Sequence, residues 1–178
     1  PQVCFSGQVT GHDGFVLTNQ EAADLLSADA RNRDVIHPFL IGRDMLTNGQ
    51  PSEWVIDFQE RSVLEASAYP KPFARIQQLV LPTRQQKADE GKTADGKQRS
   101  HHKQFLKYWW RHSFDRPEMI KKLEVMPRFI VCSDTTKRPI FEFISNSVRP
   151  DHKLRVFTFA DDYSFGVLQS HAHWLWFV

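Results

Sequence analysis

Two strand-length apolar runs separated by a short polar loop constrain this chain most. Arg128 to Ser133 and Pro139 to Ile144 read as strands, and between them lies Ser133-Asp134-Thr135-Thr136-Lys137-Arg138. Paired strands that hold out a loop of hydrogen-bonding side chains form a rigid mount for a binding site. A third run, Leu154 to Phe159, alternates cleanly and extends the same sheet. The stretch from Arg99 to Phe143 joins a basic, aromatic-rich helix to a helix start and then to the first two strands.

Upstream, Gln2 to Val9 reads as a strand, and Gly11-His12-Asp13-Gly14 followed by Phe15-Val16-Leu17 is a hairpin signal. Thr18-x-x-Glu21 and Ser62-x-x-Glu65 are capping boxes that open helices. Glu53 to Phe58 is a strand, with Trp54, Ile56 and Phe58 on one face. A helix begins at Pro72, and Pro82 is expected to kink or end it. Glu90–Gln98 is the most loop-like stretch. A helix resumes near Ser100 and carries Phe105, Tyr108, Trp109 and His112. Asp115 is expected to cap a further helix with Pro117 at its first position. Phe165, Leu168, Ala172 and Leu175 recur at helical spacing. The expectation is a single mixed α+β domain, with a central, mostly antiparallel sheet flanked by helices.

The 178 residues suffice for a sizeable core, and the ordinary apolar and charged fractions, 40% and 25%, disfavour disorder and membrane insertion. Cys4 and Cys132 both have apolar neighbours and are expected to be buried free thiols, which suits a reducing cytoplasm. The first residue is not Met and the last five are apolar, so a piece of a longer polypeptide is expected.

The formal net charge is only +2, but the basic residues are uneven. Arg84, Lys87, Lys92, Lys97, Arg99, Lys103, Lys107 and Arg111 face only Asp89, Glu90 and Asp95 across 84–111. Such a run is a solvated helix face or a phosphate-gripping ridge. Within it, 84–104 is expected to be a basic, partly mobile segment. The Tyr108-Trp109-Trp110 group reads mainly as packing, with base stacking as the lesser option. Lys137 and Arg138 offer the long donors that suit guanine O6 and N7, and Thr135 and Thr136 could meet a phosphate or a thymine methyl.

Enzymatic motifs are missing. The chain has no Gly-rich phosphate loop, His-Glu-x-x-His pair, paired Cys motif or Gly-x-Ser-x-Gly elbow. His171-x-His173 falls on an expected helix, where that spacing suits no metal. Asp161-Asp162 precede a helix and serve its positive end. No catalytic and no metal-binding residue is assigned.

The residues also resemble a known family. Arg128-Phe129-Ile130-Val131 with Asp134-Thr135-Thr136-Lys137-Arg138, and the box Phe165-Gly166-Val167-Leu168-Gln169-Ser170 with His173 and Trp174, resemble the target-recognition domain of MmeI-like (type IIL) restriction-modification DNA methyltransferases. Trp109-Trp110 with Arg116-Pro117-Glu118, Trp54 to Phe58, and Pro38-Phe39-Leu40 with Gly42 extend the likeness over about residues 35 to 178. The resemblance implies a prokaryotic, cytoplasmic type II restriction enzyme. Its endonuclease domain and its S-adenosylmethionine-dependent, adenine-N6-specific methyltransferase domain would precede this one in the same chain. No Asn-Pro-Pro-aromatic motif occurs here, so this chain would read double-stranded DNA and do no chemistry. The cofactor, S-adenosylmethionine, would belong to the methyltransferase domain. Base reading then falls to Thr135, Thr136, Lys137 and Arg138, joined by Arg149, Lys153 and Arg155. Phosphate contacts fall to Arg84, Lys87, Lys97, Arg99, Lys103, Lys107 and Arg111. Three alternatives stay open: the specificity domain of a nuclease-free phage-defence methyltransferase, a protein–protein interaction domain, and a free-standing nuclease.

Overall fold

The computed structural model describes residues 2–90, 100–136 and 140–177. In chain order the elements are β1 (Cys4–Ser6), β2 (Val16–Leu17), α1 (Asn19–Ala28), β3 (Ile36–Leu40), α2 (Gly42–Met45), β4 (Glu53–Ile56), α3 (Val63–Ser67) and α4 (Pro70–Glu90). There follow α5 (Ser100–Lys107), α6 (Pro117–Glu124), β5 (Arg128–Ser133), β6 (Phe141–Ser145), β7 (Arg149–Pro150), β8 (Leu154–Phe157), α7 (Asp162–Gln169) and α8 (His171–Phe177). The architecture is the expected mixed α+β one, an antiparallel sheet flanked by helices. Its residues gather into two compact units. One comprises Pro1–Gln8, Pro38–Glu53 and Arg116–Val178, the other Val9–His37 and Trp54–Asp115, so the chain passes from one to the other four times.

The first unit is built on the antiparallel sheet β1-β8-β5-β6. On β5, Val131 stands opposite Val156 of β8 and Glu142 of β6. Alternate residues feed different clusters. Phe129 and Val131 join Leu154, Val156 and the α6 residues Met119, Ile120 and Leu123, while Ile130 and Cys132 join Phe141, with Phe143, Phe157, Phe165 and Leu168 packed against them. Helices thus cover both faces, which is why β5 reads as a continuous apolar run with no polar alternation. Each such side chain contributes roughly 1.5–3 kcal/mol on burial. Beside this sheet, Phe39 and Leu40 of β3 pair in parallel with Arg149 and Pro150 of β7.

Among its described residues the second unit holds the antiparallel pair β2 with β4 and the α-helices α1, α3, α4 and α5. Both capping boxes form: the Thr18 and Ser62 hydroxyls accept from the N–H of Glu21 and Glu65, whose carboxylates accept back. Phe15, Leu17, Val55, Ile56, Phe58, Ile76 and Val80 fill the interior. The aromatic group is mostly packing, as expected. The Trp109 ring lies 5.2 Å from Phe73, and the Trp110 indole N–H donates to the Arg61 carbonyl at 3.0 Å.

Several local expectations are corrected. No hairpin joins 2–9 to 15–17; β1 pairs with β8 and β2 with β4. Gly7 lies so close to Asp151 that a Cβ would sit 2.2 Å from its carbonyl oxygen, which directs β1 to the C-terminal sheet. Asp13–Phe15 is instead a 3-10 turn capped by the His12 ring, which accepts from Gly14 N–H at 2.8 Å. Pro82 does not end α4. Ile76, Val80, Arg84 and Ala88 form one buried stripe across it, and the Thr83 hydroxyl donates to the Leu79 carbonyl at 3.4 Å, so packing overrides the lost N–H. The helix from Ser100 stops at Lys107, which leaves Tyr108–Trp110 in a turn. Asp115 is not the cap of α6. Arg116 holds that place at φ 55°, with no side-chain cap bond, and Asp115 is buried beside Arg111. Cys4 is an exposed free thiol, whereas Cys132 is a buried one. Of the segment 84–104, residues 84–90 and 100–104 are helical, and 91–99 lie outside the described residues.

Candidate nucleic-acid interface

The β5–β6 loop leaves the first unit's sheet at Ser133 and is tied at its root. Asp134 N–H donates to the Lys153 carbonyl at 2.7 Å, and the Asp134 carboxylate accepts from Arg155 Nε at 2.6 Å. Lys153 is exposed, and its own N–H donates to the Asp151 carboxylate at 2.9 Å, which fixes the turn before β8. Thr135 is exposed and Thr136 half-buried. Four of the expected base-reading residues, Thr135, Thr136, Lys153 and Arg155, are therefore grouped about Asp134. Arg155 stays about half exposed despite its ion pair. Lys137 and Arg138 lie outside the described residues.

Arg149 does not join this group. Its residue is 5% exposed, it donates to the Asn146 carbonyl, and its guanidinium lies 3.8 Å from Glu124. Its place on β7 opposite Phe39 turns it inward. A groove-reading role for Arg149 is therefore corrected to a structural one.

The expected phosphate ridge belongs to the second unit and divides in the same way. Lys87 on α4 and Lys103 and Lys107 on α5 are exposed. Arg84 is buried. Its guanidinium donates to the carbonyls of Phe105, Tyr108 and Thr10 at 3.1–3.4 Å, and lies 3.5 Å from the Ser113 hydroxyl. Burial lowers its pKa to about 10, which leaves it charged at neutral pH. Arg84 ties down the chain around α5 and is not a phosphate contact. Arg111 is bound through Nε and Nη2 to Asp115, at 2.7 and 2.5 Å, and only about a quarter of its side chain is exposed. Lys97 and Arg99 lie outside the described residues.

Beside Arg84 is a pocket of about 110 Å³ whose polar lining comes from His12, Thr83, Arg84, Lys87, His102 and Ser113. Among the described residues the lining carries the cations Arg84 and Lys87, two histidines and no carboxylate, an arrangement that draws anions. Burial holds the His12 pKa below its ordinary value against the opposing Asp13 charge, with Arg84 and Lys87 adding to the lowering. Gly11 opens this wall at φ +74°, where a Cβ would strike the Ser113 side chain at 1.8 Å.

One constellation escaped the sequence reading. Asp57, His112 and Asp115 come together, all buried, with one ligand-type atom from each within 4.8 Å of the others. The acidic residue inside the run Val55 to Phe58, where both flanks are apolar, was its only signal.

No family model matches this chain, and no curated protein matches it. Among solved structures it is similar to the type IIL restriction-modification enzyme MmeI, solved in complex with DNA. The TM-score is 0.70 at 15% identity, over 97% of this chain and 21% of that one. The likeness establishes the fold, and the chain spans about a fifth of that enzyme's length. No described helix is long and apolar enough to cross a membrane.

Proposed function

We propose that this chain is the double-stranded DNA target-recognition domain of a type II restriction-modification, adenine-N6 DNA methyltransferase. The observation that carries the reading is the likeness over nearly its whole length to an enzyme solved on DNA. In this reading Lys87, Lys103 and Lys107 hold backbone phosphates and set register, with Lys97 and Arg99 alongside, while the basic pocket beside Arg84 takes one phosphate. Thr135, Thr136, Lys137, Arg138, Lys153 and Arg155 read base edges in the major groove. The chain positions the enzyme and performs no chemistry. A methyltransferase domain of the same prokaryotic, cytoplasmic polypeptide binds S-adenosylmethionine and flips the target adenine.

The test is selection of bound duplexes from a randomised pool, followed by titration of the winning and a scrambled duplex at several salt concentrations. A defined winning sequence with a steep salt slope is the expected result; binding without sequence preference refutes a base-reading role. A protein-interaction module is the second reading, favoured by Tyr163 and Val167, exposed one turn apart on α7. Absence of any duplex binding at low salt would promote it.

A further inference from the structure

We infer that Asp57, His112 and Asp115 form a buried site for one divalent transition-metal ion of the zinc type. The His112 side chain is fully buried, and its Nε2 lies 2.8 Å from the Ile56 carbonyl oxygen, which can only accept. Nε2 therefore carries a proton, and Nδ1 is the ring nitrogen left to face the carboxylates as a ligand. Nδ1 has no hydrogen-bond partner. The Asp57 Oδ1 stands 3.8 Å from it, too far for a hydrogen bond. Two ligand atoms each about 2.1 Å from a shared ion lie roughly 3–4.2 Å apart, so this gap suits an ion between them. The Asp115 carboxylate completes a set of three within 4.8 Å.

The groups behind the ligands have the form that metal sites use. A metal-binding His donates its other ring N–H to a carbonyl or carboxylate, and ligating carboxylates are themselves held by donors. Here Ile56 holds His112. Gln59 holds Asp57 through its backbone N–H at 3.1 Å and through its side-chain amide. Gln59 adopts φ 50°, a left-handed conformation that costs a non-glycine residue energy, and there both its donors meet one carboxylate. Arg111 grips Asp115 at Oδ2. Phe15 meets the His112 ring edge to face at 4.9 Å and fixes its plane.

Access is provided as well. A pocket of about 270 Å³ is lined by Gln104, Tyr108, Arg111, His112, Ser113 and Asp115, among others. Three protein ligands beside a pocket leave a fourth position for water or an incoming group. One nitrogen with two oxygens favours zinc, cobalt or manganese over calcium or copper(I). The site is independent of DNA reading.

The experiment uses this chain, stripped with a chelator and titrated with zinc chloride alone, and separately with cobalt chloride. One ion per chain is expected, with a raised Tm and a visible cobalt absorption band. In the wild type, imidazole ¹⁵N NMR should show zinc shifting Nδ1 of one buried histidine while its Nε2 stays protonated. Asp57→Asn and Asp115→Asn should each weaken zinc binding by about tenfold or more. The double variant His101→Ala/His102→Ala should retain it. Absence of stoichiometric binding overturns the site, as does binding that survives the two Asn changes together or that moves with His101 and His102. Should the Asn variants fail to fold, an unchanged wild-type Nδ1 signal under saturating zinc overturns it by itself.

Discussion

Both units bury charge, the first at Asp44, Arg149 and Asp151, but they place it differently relative to their apolar packing. In the first, both clusters around β5 are wholly apolar, and its strand runs are bounded by polar turns. In the second, the longest helix buries Arg84 in line with Ile76, Val80 and Ala88, and Asp57, His112 and Asp115 lie buried nearby in the chain fold. A basic residue in a cationic tract is thus not a surface residue until its backbone is placed. Lys87 and Arg84 stand three residues apart on one helix, yet one faces solvent and the other holds three backbone carbonyls. The second unit carries buried charge on the core stripe of its long helix, whereas the first keeps it off its central strand β5.

Substitutions can break this contrast. Arg84→Ala should cost about 3–5 kcal/mol, because it strands three carbonyls inside the unit. Urea unfolding followed by circular dichroism measures it, and a loss under about 1 kcal/mol would end the claim that Arg84 is structural. Leu123→Ala, in the apolar cluster of the first unit, should cost about 2–5 kcal/mol through lost burial and a cavity. That loss should hardly change with salt. On DNA, Arg138→Ala should cost about 1–3 kcal/mol on the selected duplex and relax its preference. Equal loss on a scrambled duplex would move Arg138 to the phosphate set. Lys103→Ala should weaken all duplexes alike and lower the salt slope by about one; an unchanged slope removes Lys103 from the backbone contacts.

The smallest effect concerns α1. The Thr18 N–H, joined by Arg75, holds the Glu21 carboxyl below its ordinary pKa of 4.5. Folding therefore favours the charged form, so this contribution is complete at neutral pH and falls away as pH drops from about 5 through the folded pKa. Thr18→Ala should remove about 1 kcal/mol at neutral pH and flatten that acid limb, as thermal melts from pH 7 to pH 3 would show.

Features set by three or four neighbouring residues were legible in the sequence. Both capping boxes formed, Asp161 caps α7 by accepting from Ser164 N–H, and β5 has the expected bounds. β6 follows as the second strand, at Phe141–Ser145. Distant partners defeated the rest. Pro82 stays helical because a buried stripe spans it, and Asp115 is drawn from the cap by Arg111. Arg149 is turned inward by a strand pairing that no local pattern announces. Arg84 stands four residues from both Val80 and Ala88 on the buried stripe of α4, but its charge suggested a solvated face. Asp57, His112 and Asp115 are up to 58 positions apart in number, and only the fold joins them.

The pairing of Cys4 with Phe157 has a consequence for biosynthesis. β1 leaves the ribosome some 150 residues ahead of the strand it pairs with, and it must wait without its ladder until they have followed. Because the polypeptide threads back and forth between its halves, trimming at one point cannot release either half intact. If the proposed function holds, an engineer seeking a new specificity would exchange the residues that follow Ser133 and leave the woven scaffold alone.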